Sequence, residues 1–332
     1  MCYTDRVREG EDRAVTQTTT DIFERFQVRK SKEQKTAFID YVQQTAASLG
    51  YKATVEKGGF GVRNIVVGDI DKAKVVYTAH YDTCARLPFP NILTPKSIPL
   101  YLLYQLGIVL LLGIAAFGVG FSIGYAVSFL SLPSRAARLV ITLSILASLC
   151  LLFDAFENKH TANDNTSGVT VLLDAMAALP AEDRAHTAFV FFDLEEAGLI
   201  GSSAFKKKHK QAMKNTLLVN FDCVSDGETM LVVLRKGAAP FRELLETAFQ
   251  STEAVQVETA TKGVFYPSDQ IWFPCGVGVA AFKKTKRRGI LYIDRIHTSK
   301  DTVYREDNIA CLTEGVKRLS AALRPEGEDT NE

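Results

Sequence analysis

No charged residue occurs between Ser97 and Ser134. Within that run, Ile98–Leu132 is rich in Leu, Ile, Val, Phe and Gly; Arg135 and Arg138 follow, and Leu139–Phe153 is apolar again before Asp154 and Glu157. A bilayer is spanned by about 20 apolar residues, so the first stretch is long enough. The second is shorter, but Ser131–Ser134 can form the turn and arginine side chains can snorkel. Core helices of soluble domains are seldom so uniformly uncharged. The pattern therefore predicts two membrane-crossing helices over residues 98–153, set inside a chain whose flanks look soluble. Gly113, Gly118, Gly120 and Gly124 would let such helices pack closely.

The flanks read as alternating strands and helices. Ser31 with Gln34 forms a capping-box pattern opening a helix through Leu49, with Phe38, Val42 and Leu49 near one face and Gly50 as its stop. A shorter helix is expected at Asp21–Val28. Strands are expected at Tyr51–Glu56 and Asn64–Val67, around a Gly58-Gly59 turn, and at Val75–Ala79. Beyond the apolar insert, Ser167-Gly168 opens a helix to Leu179 that turns Val169, Leu172, Leu173 and Met176 inward. Strands at Thr187–Phe192 and Leu217–Phe221 follow, the latter with a hairpin-like partner at Met230–Leu234. Further strands are expected at Ala254–Glu258, Val277–Phe282 and Ile290–Ile293. Helices are expected at Gly198–His209, Phe241–Gln250 and Glu306–Leu323, the last with Ile309, Leu312, Val316 and Leu319 at helical spacing. This alternation predicts an α/β fold: a mixed, mostly parallel central sheet with helices on both faces, plus the inserted transmembrane hairpin. The domain reading is 1–95 and 158–325 as two parts of one domain, 96–157 as the insert, and 326–332 as a polar tail.

Acidic and imidazole side chains gather where the apolar strands end. Val75–Ala79 runs into His80-Tyr81-Asp82, Thr187–Phe192 into Asp193 and Glu195-Glu196, and Leu217–Phe221 into Asp222. Ligands of open α/β sheets bind at the carboxyl ends of strands. The polar loop Asn163-Asp164-Asn165-Thr166-Ser167-Gly168 opens a helix, where the dipole favours an anion, and His297 and Asp301 lie near the last strand. Any one of these has a bland reading. His80 alone could be a structural histidine, and Glu195-Glu196 a solvated acidic pair.

Together the five segments resemble the zinc aminopeptidases of peptidase family M28: His-x-Asp, Asn-Asp-Asn-x-Ser-Gly, Glu-Glu-x-Gly-Leu-x-Gly-Ser, Asn-Phe-Asp and Ile-His-Thr-x-x-Asp-Thr, in that order, over residues 60–90 and 158–310. The resemblance implies a zinc-exopeptidase-like fold and two Zn2+ ions. His80 and Asp222 would hold one, Glu196 and His297 the other, and Asp164 would bridge them. Glu195 would be the general base and Asp82 would orient His80. The donor chemistry agrees, since catalytic zinc takes nitrogen and oxygen ligands and keeps a position open. The implied activity is hydrolysis of N-terminal residues from peptide substrates. The alternatives are a glutaminyl-cyclase-like enzyme with a single zinc, which would leave His80 without a purpose, and a non-catalytic receptor or scaffold of the same fold. One departure from the family pattern stands at Tyr266-Pro-Ser-Asp269-Gln270, where Gln270 replaces a usual His.

If His80 and Asp164 meet at one site, the insert between them must leave and return on the same side of the bilayer, so the crossings number two or none, the none case being a buried helical hairpin that makes a dimer or covers the active site. Arg135 and Arg138 would put the turn inside by the positive-inside rule. Against that stand a polar N-terminus without a signal-like apolar region and six cysteines without paired spacing, which suit a reducing compartment. The expectation is a cytoplasmic-side catalytic domain. Cys84 and Cys223 are read as packing residues because the ligand set is already full, and His160, His186 and His209 as surface histidines. A net charge of +1 argues against nucleic acid. The basic runs at Lys206–Lys210 and Lys283–Arg288 read as a solvated helix face and a loop.

Overall fold

The computed structural model describes residues 17–325 except 88, 131 and 155, and only the backbone over 149–154. The readings of the N-terminal segment before residue 17 and of the tail 326–332 lie outside the described residues, as do Cys2 and the side chain of Cys150.

The sheet is built on four parallel strands at its centre, β4 (Thr187–Phe192), β3 (Val75–His80), β5 (Leu217–Phe221) and β8 (Gly276–Lys284). Antiparallel additions flank them. β2 (Arg63–Val67) and β1 (Ala53–Lys57) extend one side; β6 (Thr229–Leu234), with β7 (Gln256–Ala260) parallel to it, extends the other, and the two-residue β9 (Leu291–Tyr292) pairs the end of β8. β6 is therefore not the hairpin partner of β5. Both sides of β5 are already occupied, by β3 and β8, and the chain crosses over to pair β6 antiparallel to β8.

Side-chain alternation explains the layers. Val75, Tyr77 and Ala79 of β3, with Phe189 and Phe191 of β4, face one core; Val76, Ala188, Val190 and Phe192 face the other. The first core is covered by α1 (Gln17–Arg25), α2 (Lys32–Ser48), α5 (Gly168–Ala178), α7 (Arg242–Ala248) and α8 (Glu306–Ala322); the second is covered by α6 (Ile200–Lys208) through Phe205. Burying each such aromatic or aliphatic side chain contributes about 1.5–3 kcal/mol. Every residue of β3 is buried, as in β4 and β5 beside it, so His80 at its end is anchored by an enclosed strand. The Ser31–Gln34 capping box forms as the residues suggest, with Gln34 N donating to Ser31 Oγ at 3.2 Å and Ser31 N donating to Gln34 Oε1 at 2.7 Å.

The insert is a pair of helices, α3 (Ile98–Ser128) and α4 (Ser134–Asp154). They run antiparallel, because Gly120 packs on Ile145 while Gly124 packs on Ile141. A Cβ at Gly120 would come within 2.6 Å of Ile145 Cδ1, so a larger residue there would force the Ile145 side chain to shift. Ser122 and Ser144 turn their hydroxyls back to the carbonyl oxygens of Gly118 and Val140, at 2.8 Å and 2.7 Å, which satisfies groups that hydrocarbon could not. Of the described residues, only α3 makes a helix long and apolar enough to cross a membrane, with mean hydropathy 2.4 over a window that is 6% buried. Leu103, Leu106, Phe117 and Phe121 on it are all exposed. α4 lies beside it with Arg135 and Arg138 near its start, and does not reach the same apolarity.

The roots of the pair are tied to the sheet domain. Ala85 bridges Glu157, Arg86 N donates to Phe156 O at 2.7 Å, and Leu93 and Ile293 exchange backbone hydrogen bonds at 3.1 Å and 3.0 Å. Gln34 Nε2 donates to Glu157 Oε1 at 3.1 Å, joining the start of α2 to the return of the insert.

Candidate metal centre

His80, Asp164, Glu195, Glu196, Asp222 and His297 converge in one cluster above the ends of β3, β4 and β5, with His80, Asp164 and Asp222 buried and the others half-buried. Asp164 sits between two groups of donors. Its Oδ1 lies 3.3 Å from His80 Nε2, which is itself 3.4 Å from Asp222 Oδ1. Its Oδ2 lies 3.0 Å from His297 Nε2, which is 3.4 Å from Glu196 Oε2. One donor each from His80, Asp164 and Asp222 fall within 4.8 Å of one another, as do those of His80, Glu195 and Glu196. A further group of the same compactness joins Cys84 to Asp164, Glu196 and His297.

The loop that presents Asp164 is held by its neighbours in sequence. Asn163 Oδ1 accepts from the amides of Ser225 and Asp226 at 2.7 Å and 2.9 Å. Asn165 Oδ1 accepts from Gly168 N at 3.0 Å and Cys223 N at 3.3 Å, and its Nδ2 donates to Phe221 O at 3.0 Å. The two asparagines thereby staple Asp164 to the segment that carries Asp222. Gly168 is required here, since a Cβ would stand 2.3 Å from Phe221 O. Asp301 closes the loop from the other side, accepting from Asn163 N at 2.7 Å and Asp164 N at 3.0 Å.

Asp82 reaches both His80 and the glutamate pair. Its carboxylate accepts from Glu195 N at 3.0 Å and Glu196 N at 3.2 Å, and stands 3.6 Å from His80 Nδ1. The nearer partner of that ring nitrogen is the Asp82 backbone carbonyl, at 3.1 Å. Asp82 thus touches both the imidazole and the glutamate pair, with the carboxylate committed to the glutamates. Leu194, Cys223 and His297 all take left-handed backbone conformations, at φ 54°, 56° and 63°. Residues other than glycine adopt these rarely, and such positions cluster at functional sites.

Two buried cations support the cluster from behind. Lys35 Nζ lies 2.5 Å from Asp193 Oδ1, and Asp193 Oδ2 accepts from Arg63 N at 3.0 Å, which fixes the start of the Glu195-Glu196 loop. The fully buried Arg29 donates from Nη1 to Thr166 Oγ1 at 3.3 Å and from Nε to Tyr81 O at 2.5 Å, bracketing the segment between His80 and Asp82. Burial lowers the Arg29 pKa to about 10. Neither residue stands out in the sequence, because the partners that tie them to the site, Tyr81, Thr166 and Asp193, lie far along the chain.

Carboxylates outnumber imidazoles in this space, and their protonation equilibria show the strain. Burial, with Asp164 adding to it, pushes Glu196 up to about 8. Burial, with Glu196, Asp269 and Asp222 as negative neighbours, raises Glu195 well above the carboxylate range. Asp164 is also desolvated, yet His297 and His80 hold it well below that range. His297 rises to about 9: burial opposes, and Glu196 and Asp164 outweigh it. His80 Nε2, Asp222 Oδ1 and Glu196 Oε1 are buried without hydrogen-bond partners. Excess buried negative charge beside unsatisfied nitrogen and oxygen donors is the chemistry that divalent zinc meets, so the donor set fits the metal.

Asp269 and Gln270 complete the wall. Asp269 is fully buried with both carboxylate oxygens unpartnered, and burial raises it to about 7. Gln270 Nε2 donates to Tyr266 O at 2.8 Å and its Oε1 accepts from Asn220 Nδ2 at 3.3 Å, so it packs the wall. Of the spare histidines, His186 is no surface residue. It is 3% exposed, and its Nε2 lies 3.1 Å from Ser320 O beneath α8. His209 is half-buried with Nε2 2.9 Å from Glu56 Oε1.

Residues 153–313 match the profile of peptidase family M28. The fold is shared with the Legionella pneumophila LapA aminopeptidase, at 14% identity and TM-score 0.53, covering 93% of this chain and 68% of that one. It is shared also with Porphyromonas gingivalis glutaminyl cyclase, at 15% identity and TM-score 0.53, covering 92% and 96%. A leucine aminopeptidase precursor from Bacteroides thetaiotaomicron gives 13% identity and TM-score 0.50, covering 94% and 95%. No curated protein matches the chain.

Proposed function

We propose that this chain is a membrane-anchored, two-zinc exopeptidase, an aminopeptidase that removes N-terminal residues from peptides. The observation that carries the reading is the position of Asp164, with Oδ1 3.3 Å from His80 Nε2 and Oδ2 3.0 Å from His297 Nε2. A carboxylate so placed can serve two cations at once. His80 and Asp222 would hold one zinc and Glu196 and His297 the other, with Asp164 between. Zinc bound there supplies Lewis-acid polarisation of the scissile carbonyl and a lowered pKa for a water molecule.

The remaining work falls to the protein. Glu195 takes the proton of the attacking water and delivers it to the leaving amine. Asp82 fixes the backbone of Glu195 and Glu196, so that one glutamate binds while its neighbour moves the proton. Asn163, Asn165 and Asp301 keep Asp164 from turning. Both nitrogen–oxygen groupings at Asp164 favour two metals over the single-zinc cyclase reading, in which His80 has no part.

The insert anchors the enzyme through two spans, α3 and α4, since both roots sit beside each other at Ala85 and Glu157. The catalytic domain lies on the cytoplasmic side, a reading supported by the unpaired, buried cysteines Cys84, Cys223, Cys275 and Cys311. Protease protection in sealed right-side-out vesicles tests the sidedness: cleavage of the catalytic domain only after the vesicles are opened would support it, and cleavage of intact vesicles would overturn it.

Glu195→Gln tests the catalytic reading. Turnover should fall by about 10²–10⁴-fold with bound zinc unchanged. Unaltered function with unaltered zinc would favour a scaffold that keeps the fold without the chemistry.

A further inference from the structure

The two halves of the centre do not have the same donors. The compact donor group of His80, Asp164 and Asp222 holds only nitrogen and oxygen, with the Cys223 thiol hydrogen-bonded to Asp222 beside it, whereas Cys84 Sγ is itself one of four donors, with single atoms of Asp164, Glu196 and His297, all within 4.8 Å of one another. We propose that Cys84 is a thiolate ligand at the Glu196–His297 position, making that position a sulfur-bearing site and its neighbour a purely nitrogen–oxygen one. This rests on the reading of the cluster as a metal centre.

Cys84 is 3% exposed, and polar groups stand against its sulfur. Its sulfur takes a long contact of 3.8 Å from Asn158 Nδ2, whose other hydrogen bond, 3.1 Å to Thr298 O, belongs to the loop of His297. Asn158 N donates in turn to Cys84 O at 3.4 Å, so one asparagine fixes both the thiol and the His297 loop. Glu196, in the same group, keeps Oε1 buried and without a partner. Four donors from four separate segments, one with an unsatisfied oxygen, describe a site with room for a cation.

Forming the sulfur–metal bond releases the thiol proton to solvent, as ligation by cysteine requires. A soft donor shifts preference toward zinc and away from manganese or magnesium at that position. The two positions would then differ in metal selectivity although they share Asp164.

The test uses the full chain in detergent with zinc exchanged for Co2+, read by absorption and metal analysis. A thiolate-to-cobalt charge-transfer band is expected in the near ultraviolet. It should be lost in Cys84→Ser and kept in Cys223→Ser, with bound cobalt counted independently. X-ray absorption of the unsubstituted zinc protein gives a check that needs no variant, namely a sulfur scatterer at about 2.3 Å. Cobalt bound with no charge-transfer band, or a band that survives Cys84→Ser, overturns the part given to Cys84 and leaves the metal centre standing. Failure of the chain to bind cobalt or zinc at all overturns both this inference and the reading beneath it.

Discussion

The backbone N–H of Leu87 donates to the carbonyl oxygen of His297 at 2.8 Å. Leu87 lies between β3 and α3, and His297 lies in the candidate metal centre, so the root of the insert is hydrogen-bonded to the site. Leu87→Pro removes the donor without touching a metal-binding side chain. Outer contacts of metal ligands are worth about 10–100-fold in affinity, and a zinc titration of Leu87→Pro should show a loss in that range. Wild-type affinity would mean that the His297 loop holds its shape without the insert's root.

Asp82 accepts two backbone amides with its carboxylate. An asparagine can replace only one of those oxygens as acceptor, leaving Glu195 N or Glu196 N facing an amide nitrogen. Asp82→Asn should lower kcat/KM by about 10–100-fold while the fold persists in circular dichroism. A change confined to KM would assign Asp82 to substrate binding instead.

Lys35 and Asp193 form a buried ion pair at the start of the glutamate loop. Breaking a buried pair from one side costs about 3–5 kcal/mol, because the remaining charge has no partner. Lys35→Met should therefore lower stability in denaturant unfolding by that order. Lys35→Met combined with Asp193→Leu should recover part of the loss, since neither charge is then left alone. Equal destabilisation in both variants would mean that the Asp193 contact to Arg63 N, not the ion pair, is what matters.

Gly120 and Gly113 stand on the same helix with opposite surroundings. A side chain at Gly120 meets Ile145, and one at Gly113 meets nothing within 4 Å. Gly120→Leu should destabilise the helix pair by about 1–3 kcal/mol, the ordinary cost of overpacking, and Gly113→Leu should be close to neutral. Detergent-solubilised thermal unfolding compares the two, and equal effects would place the helices further apart than described.

The parts of the centre that were legible in the sequence share a cause. His80, Glu195, Glu196 and Asp222 each follow an apolar strand, and strand ends of a parallel sheet converge by construction. Asp164 was legible because asparagines flank it in a recognisable pattern, and those same asparagines staple the loop. The supporting residues were not. Arg29 reaches Thr166 and Lys35 reaches Asp193 across long stretches of chain, and nothing local marks a cation as buried. His186 reads as a surface histidine because it follows the polar run Glu182–Arg184; it is covered where α8 packs over it. Nearness in sequence suggests a hairpin for β6, while the vacant side of β8 offers its place in the sheet. Nothing local in the sequence marks Cys84, whose proximity to Glu196 and His297 comes from the three-dimensional arrangement.

The most direct test of the central claim is hydrolysis of matched free-amine and amino-blocked peptides by the detergent-purified full chain, before chelation, after it, and after zinc is returned. The account predicts cleavage of the free-amine peptides alone, abolished by the chelator and restored by zinc at two equivalents per chain. No cleavage under any condition, with zinc shown to be bound, would contradict it.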